Sequence, residues 1–352
     1  MVEEHTFQYN QTFQLESGES LPGFQLLYST YGTLNADKDN IIWVCHALTG
    51  NANVLDWWSG LFGEGRLYNP REHFVICVNM LGSCYGSTGP LSINPETQQP
   101  FYHSFPSLTN RDVVQAFDLL RQHLGFGQIH TLIGGSMGGQ QALEWSIMQP
   151  DVARHLIQVA SNAQHSPWGI AFNESQRMAI QSDASWPENQ PDAGLVGMRT
   201  ARSIALLSYR HYRTYQKTQQ ESATDKLDNY RASSYQRYQG EKLARRFNAF
   251  SYWTLSSTMD SHNVGRGRES VESALEEIQA KSLFVGIKTD MLFPVVEQQF
   301  LADHVPGAEL AIIDSDYGHD GFLLEFEKLT RHILAFYQKA SQPQPSVSLT
   351  SK

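Results

Sequence analysis

No stretch of the 352-residue chain is apolar for long enough to cross a bilayer as a helix, so no membrane span is expected. The first residues, MVEEHTFQYNQTF, lack the basic start and apolar centre of a secretory signal. The expected location is the cytoplasm. Cysteine is scarce. Cys45, Cys77 and Cys84 include no CxxC pair, which argues against a disulfide framework and against a cysteine-ligated zinc site. Cys45 and Cys77 sit inside apolar runs, WVCHA and FVICV, and read as reduced core residues. An excess of positive charge is also lacking. Lys and Arg number 26 against 36 Asp and Glu, and the formal charge of −10 argues against a nucleic-acid partner. No repeat recurs at periods of about 20–50 residues, which excludes solenoids and propellers.

What is present is a series of short apolar runs alternating with helical patterns. IIWVCHAL (41–48), HFVICVNM (73–80), IHTLIGGS (129–136) and RHLIQVAS (154–161) are rich in Val and Ile and nearly continuously apolar. Strands buried on both faces have this composition. The pattern predicts a helix over about 109–124, with Thr109 as its N-cap and Gly125 as its stop. A second helix is predicted at about 137–148, just before Pro150. Such alternation builds a parallel sheet with right-handed crossovers. It stops near residue 163 and resumes with SLFVGI (282–287), AELAIID (308–314) and a closing helix at about 322–340. The expected organisation is a core of residues 1–164 and 278–340, a helical insertion over 165–277, and a polar tail, 341–352, expected to be disordered.

The chemical signal is Gly134-Gly135-Ser136-Met137-Gly138, a GxSxG pentapeptide. By itself it is weak. Here a buried strand runs into it and a helix runs out, which is the context of a nucleophile elbow. Ser136 is therefore the candidate nucleophile. A serine hydroxyl needs a base, and this architecture takes its residues in the order Ser, acid, His. His319, on the loop SDYGHDG after the last predicted strand, is the candidate base. His304 lies in a helical pattern and is expected to face solvent. His46 precedes the serine and is expected to brace its loop. Asp290 follows the strand SLFVGI and is the candidate acid, with Asp314 and Asp316 as alternatives nearer His319. The oxyanion donors are expected to be the backbone amides of Met137 and of Leu48, the latter in the loop His46–Gly50.

The residues CHALTGNANV (45–54), GSCYGSTGPLSINPET (82–97), IGGSMGGQQALEW (133–145), AFNESQRMAI (171–180), YQRYQGEKLARRFNAFSYWTLSSTMD (235–260) and GHDGFLLE (318–325) resemble the homoserine O-acetyltransferase family. The resemblance covers about residues 20–335. It implies an α/β-hydrolase fold, a mostly parallel central sheet with a helical lid insertion, and a homodimer formed through that lid. It implies acetyl transfer from acetyl-CoA, a co-substrate, to the hydroxyl of L-homoserine in methionine biosynthesis, with no cofactor and no metal. The implied triad is Ser136, Asp290 and His319. The implied substrate contacts are Arg202, Tyr209 and Asp320, and Thr49 in the Leu48 loop is taken with them. Homoserine is a zwitterion. The Arg202 guanidinium suits its carboxylate and the Asp320 carboxylate suits its ammonium. A succinyl donor or a serine acceptor stays open, as does a plain esterase or an inactive binding module.

Charge is unevenly spread. Residues 198–246 hold eleven Lys and Arg against four Asp and Glu. A basic insertion on an acidic body is expected to attract the phosphates of coenzyme A.

Overall fold

Continuous burial decides where the strands lie. The chain opens with β1 (Val2–Tyr9) and β2 (Phe24–Gly32). There follow β3 (Ile41–Cys45), β4 (Phe74–Val78), β5 (Ile129–Gly135), β6 (Ala153–Val159), β7 (Lys281–Ile287) and β8 (Glu309–Ile313). Every residue of β3 is buried, because its two faces meet separate cores. On one face Trp43 packs edge-on against Trp145 at 4.9 Å, with Phe117 beside both. On the other, Val44 and Ile133 belong to a cluster with Trp58, Phe322 and Phe336. Each fully buried side chain of this size contributes about 2–3 kcal/mol. The computed structural model describes residues 1–340, so the expected disordered tail lies outside the described residues.

The eight strands form one sheet in the order β1-β2-β4-β3-β5-β6-β7-β8. From β4 to β8 all neighbours are parallel. β1 and β2 are antiparallel additions at one edge, in the register Val2↔Tyr31 to Tyr9↔Phe24. Sequence patterning did not indicate these two. Of β1 only Phe7 is buried, and VEEHTFQY carries no continuous apolar run. Its hydrogen-bond partner lies elsewhere in the chain.

After β3 the chain moves outward to β4, then returns to place β5 on the other side of β3. That reversal opens a crevice at the C-terminal ends of β3 and β5, where open sheets of this kind bind ligands. α1 (Asn110–His123) carries a Thr109–Asp112 capping box, and Gly125 follows it at φ +63°. α2 (Met137–Met148) starts directly after Ser136.

Between β6 and β7 the chain forms α3 (Pro167–Gln181), α4 (Leu195–Tyr209), α5 (Tyr212–Gln219), α6 (Arg231–Ala244), α7 (Ala249–Asp260) and α8 (Val271–Glu276). α9 (Val295–His304) follows β7. The closing helix α10 spans Phe326–Ala340, with a separate turn at Gly321–Leu324 before it. The end of α4 and the start of α5 sit on the loop after β8. The Thr214 hydroxyl donates to the Asp316 carbonyl at 2.6 Å. A Cβ on Gly318 would stand 2.8 Å from the His211 nitrogen. Among the described residues no helix is long and apolar enough to cross a membrane.

Candidate active site

β5 delivers the chain to Ser136 at φ 55° and ψ −129°, a strained conformation for a residue with a Cβ. The turn closes because its neighbours are glycines. A Cβ on Gly134 would lie 2.2 Å from the Gly138 carbonyl oxygen, and one on Gly138 would lie 2.0 Å from the Cys45 carbonyl oxygen. Both contacts are impossible. The second also shows that the loop after β3 presses on the start of α2. Met137 is the first residue of α2, so its amide has no acceptor within the helix. Leu48, on the loop after β3, is buried.

His319 stands on a single turn, Gly318–Asp320, after β8. Its ring stacks on Phe293 at 5.2 Å and packs on Phe322 at 5.2 Å and on Tyr209 at 5.7 Å. Nε2 is 2.9 Å from the Ser136 hydroxyl and Nδ1 is 2.6 Å from Asp290 Oδ2. The other Asp290 oxygen accepts from the Leu292 and Phe293 amides at 2.8 and 2.9 Å. The loops bearing the two residues are tied by Thr289. Its hydroxyl donates to the Ser315 carbonyl at 2.6 Å and accepts from the Gly318 amide at 3.1 Å. An acceptor-only carboxylate at Nδ1 keeps the proton there, which leaves Nε2 free to accept from the serine.

The alternative acids lie elsewhere. Asp314 is exposed. Asp316 pairs with Lys217 and, at 3.1 Å, with Arg213; these two cations hold its carboxyl below the usual range. His304 is half-buried over Phe300 and donates to the Phe300 carbonyl at 2.8 Å, so it does not stand free in solvent.

His46 braces its loop. Nδ1–H donates to the Ala47 carbonyl at 2.9 Å, and Nε2 accepts from the Met80 amide at 3.3 Å. Complete burial pushes its pKa down to about 4. His262, buried and bonded to the Asn162 carbonyl at 3.2 Å, is pushed down to about 3. An unfolded chain protonates both near 6.5, so the stability they confer is present above that value and is lost as pH falls towards 4. Each group accounts for about 3 kcal/mol or more. Urea midpoints measured from pH 7.5 to 4.5 should therefore fall, and His262→Gln should show a shallower fall. An equal slope in the variant would contradict this assignment.

Arg202, Tyr209 and Asp320 converge beside His319. The Arg202 guanidinium lies 5.5 Å from the Tyr209 ring centre. Asp320 is not free: Arg210 Nε donates to its Oδ2 at 3.0 Å. Burial pushes the Asp320 carboxyl up, and Arg210, Arg202 and His319 oppose the shift. Arg210 was not indicated by the sequence, although it adjoins Tyr209. The Thr49 carbonyl accepts from Arg246 at 2.8 Å, a bond that does not involve Arg202, Tyr209 or Asp320. The excess positive charge of the insertion is partly consumed locally. Arg199 pairs with Glu241 at 3.0 Å, Lys226 with Glu221 at 3.2 Å, and Arg210, Arg213 and Lys217 with core aspartates. Arg237 and Arg245 remain exposed.

Residues 40–326 match the family model described as alpha/beta hydrolase fold. The homoserine O-acetyltransferase of Cyclobacterium marinum is 52% identical over 331 residues, covering 94% of each chain. That of Chlorobaculum tepidum is 44% identical, over 94% of this chain and 93% of its own. The chain belongs to the homoserine O-acetyltransferase family. Among solved structures, the family member from Staphylococcus aureus is 29% identical with a TM-score of 0.79, over 96% of this chain and 95% of that one. The esterase E22 superposes with a TM-score of 0.87 at 24% identity, over 96% and 100% of the two chains. Transferases of this family thus share their fold with hydrolases. The backbone does not decide whether an acyl group goes to an alcohol or to water.

Proposed function

We propose that this protein transfers an acetyl group from acetyl-CoA to the hydroxyl of L-homoserine through an ester on Ser136. The observation that carries the reading is the Ser136–His319–Asp290 chain of hydrogen bonds with Arg202 and Asp320 beside it. An enzyme for simple apolar esters has no use for a cation and an anion so close to its serine. A zwitterionic acceptor needs both.

In the first half-reaction His319 Nε2 takes the Ser136 proton and Oγ attacks the thioester carbonyl carbon. The tetrahedral oxyanion is held by the backbone amides of the buried residues Met137 and Leu48. The carbon–sulfur bond breaks, and the departing thiolate takes the proton from His319. In the second half-reaction Arg202 holds the acceptor carboxylate and Asp320 its ammonium, with Tyr209 and Thr49 lining the pocket. Fixing both ends puts the acceptor hydroxyl within reach of the ester and of His319. Nε2 takes the hydroxyl proton, the alkoxide oxygen attacks the acyl carbon, and Ser136 regains the proton as its ester bond breaks. The helical insertion acts as the lid that keeps water from the ester.

The basic surface of the insertion, including Arg237 and Arg245, attracts the coenzyme A phosphates. A cytoplasmic setting accords with three unpaired cysteines. A homodimer through the lid would cover Val196, Leu207 and Tyr238, which are apolar or aromatic and exposed.

The test is to mix the protein with acetyl-CoA or succinyl-CoA and with L-homoserine or L-serine, following thiol release and product mass. Parallel double-reciprocal lines and O-acetylhomoserine are expected. Thiol release indifferent to acceptor would indicate a hydrolase. Intersecting lines with no acyl-enzyme would overturn the two-step order.

A further inference from the structure

Two hydrogen-bond donors beside the Arg210–Asp320 pair have nothing to bond to. One is Arg202 Nε and the other is the Tyr235 hydroxyl; both are buried and neither has a hydrogen-bond partner. They come from different helices of the insertion. α6 runs alongside α4, close enough that a Cβ on Gly240 would stand 2.7 Å from the Arg199 carbonyl oxygen. One turn earlier on α6, the Gln236 side chain donates to the Ser203 carbonyl at 3.1 Å. This register brings Tyr235 towards the end of α4. The Arg210 guanidinium lies 5.2 Å from the centre of its ring. Gln239, one turn along α6, acts on the Tyr235 hydroxyl without making a hydrogen bond of normal geometry.

The charges acting on Tyr235 are Arg210, Asp320 and Arg202. The carboxylate of Asp320 already accepts from Arg210. The pocket therefore holds two guanidiniums against one carboxylate, and the Asp320 oxygen that Arg210 leaves free accepts from neither orphaned donor. A folded protein seldom keeps buried donors unpaired, and does so where a ligand or a water completes them. An anion with two acceptor oxygens would satisfy both donors.

We propose that the Tyr235 hydroxyl is a specificity-determining donor, which holds the carboxylate of the amino-acid acceptor together with Arg202. This deepens the reading above and rests on it: the acceptor must be an amino acid. Tyr235 then selects alcohols bearing an α-carboxylate over amino alcohols that lack one. Arg210 serves a separate purpose. It occupies one oxygen of Asp320 and leaves the other for the ammonium.

Tyr235→Phe tests the assignment, because it removes only the hydroxyl and keeps the ring over Arg210. Two acceptors are compared, L-homoserine and 3-aminopropan-1-ol, which has the same ammonium and hydroxyl but no carboxylate. The thiol burst from acetyl-CoA without acceptor reports the first half-reaction and the integrity of the fold. The variant should raise KM for homoserine on the order of 10- to 100-fold with kcat little changed, as for loss of a hydrogen bond to a charged group. Its burst, and its kcat/KM for the amino alcohol, should match wild type. If the amino alcohol turns over too slowly to time, its inhibition constant against homoserine is the comparison and should not move. Equal losses with both compounds, an undiminished preference for homoserine, or a lost burst would each overturn the role of Tyr235. A wild-type protein that treats both alcohols alike would instead remove the amino-acid acceptor itself, and Tyr235 with it.

Discussion

Ser136→Ala should lower turnover of acetyl-CoA by about 10,000-fold or more while leaving the protein folded. The hydroxyl is the group whose acylation the two-step route requires, and it is the group bonded to His319 Nε2. Alanine keeps the Cβ that the elbow already accommodates at φ 55°, so the packing around it is unchanged. The measurement pairs thiol release with mass spectrometry after brief mixing with acetyl-CoA. Wild type should carry an acetyl adduct and the variant none. A variant that still released thiol at the wild-type rate would remove Ser136 from the mechanism. A binding module, by contrast, would lose no activity because it would have none.

The second large effect is expected at Asp290. Asp290→Asn should cut kcat by about 1,000- to 10,000-fold with the fold and the acyl-CoA KM largely retained. The carboxylate can only accept, so it fixes the His319 proton on Nδ1 at a 2.6 Å contact. An asparagine can turn its N–H towards Nδ1. That favours the tautomer with the proton on Nε2, where it can no longer accept from Ser136. The comparison that makes this decisive is with Asp314→Asn and Asp316→Asn. Both side chains lie away from His319. The Asp316 pairs with Arg213 and Lys217 are partly exposed ion pairs of small value. Each of these variants should stay within about threefold of wild type. A loss at Asp316 as large as that at Asp290 would reassign the acid.

The contrast between these aspartates marks how far the primary structure can be read. Asp290, Asp314 and Asp316 all stand at or just after the end of a predicted strand, and all are compatible with the order serine, acid, histidine. They are separated by where their loops point. The Leu292 and Phe293 amides hold Asp290 inward, while Lys217 and Arg213 draw Asp316 to the insertion. Helix limits behave differently. Thr109, Gly125 and the run 137–148 act through local capping and backbone conformation, and α1 and α2 lie where those signals put them. β1 and β2 went unread for the opposite reason. Their stability comes from pairing with each other and with β4, not from an apolar run of their own.

The acceptor pocket shows the same division. Arg202 and Asp320 were reached through resemblance, while Arg210 and Tyr235 were not reached at all. A tyrosine in a polar helix has no local signature that distinguishes it from a surface residue. Its hydroxyl acquires meaning only when α6 lies against α4 and the ring comes to rest under Arg210.

The primary structure alone marked the candidate nucleophile, since a strand, two glycines and a helix are contiguous and the steric demand of the turn is local. It also marked the candidate base, through chain order, and the alternation that makes the sheet parallel. The tertiary structure decided which aspartate supports His319, which cation pairs with Asp320 and which buried donors are left without a partner. Those outcomes depend on distances between groups about 30 to 180 residues apart, such as the 29 between Asp290 and His319 and the 183 between Ser136 and His319. A distance of that kind is set by packing, and packing is not written in any one segment.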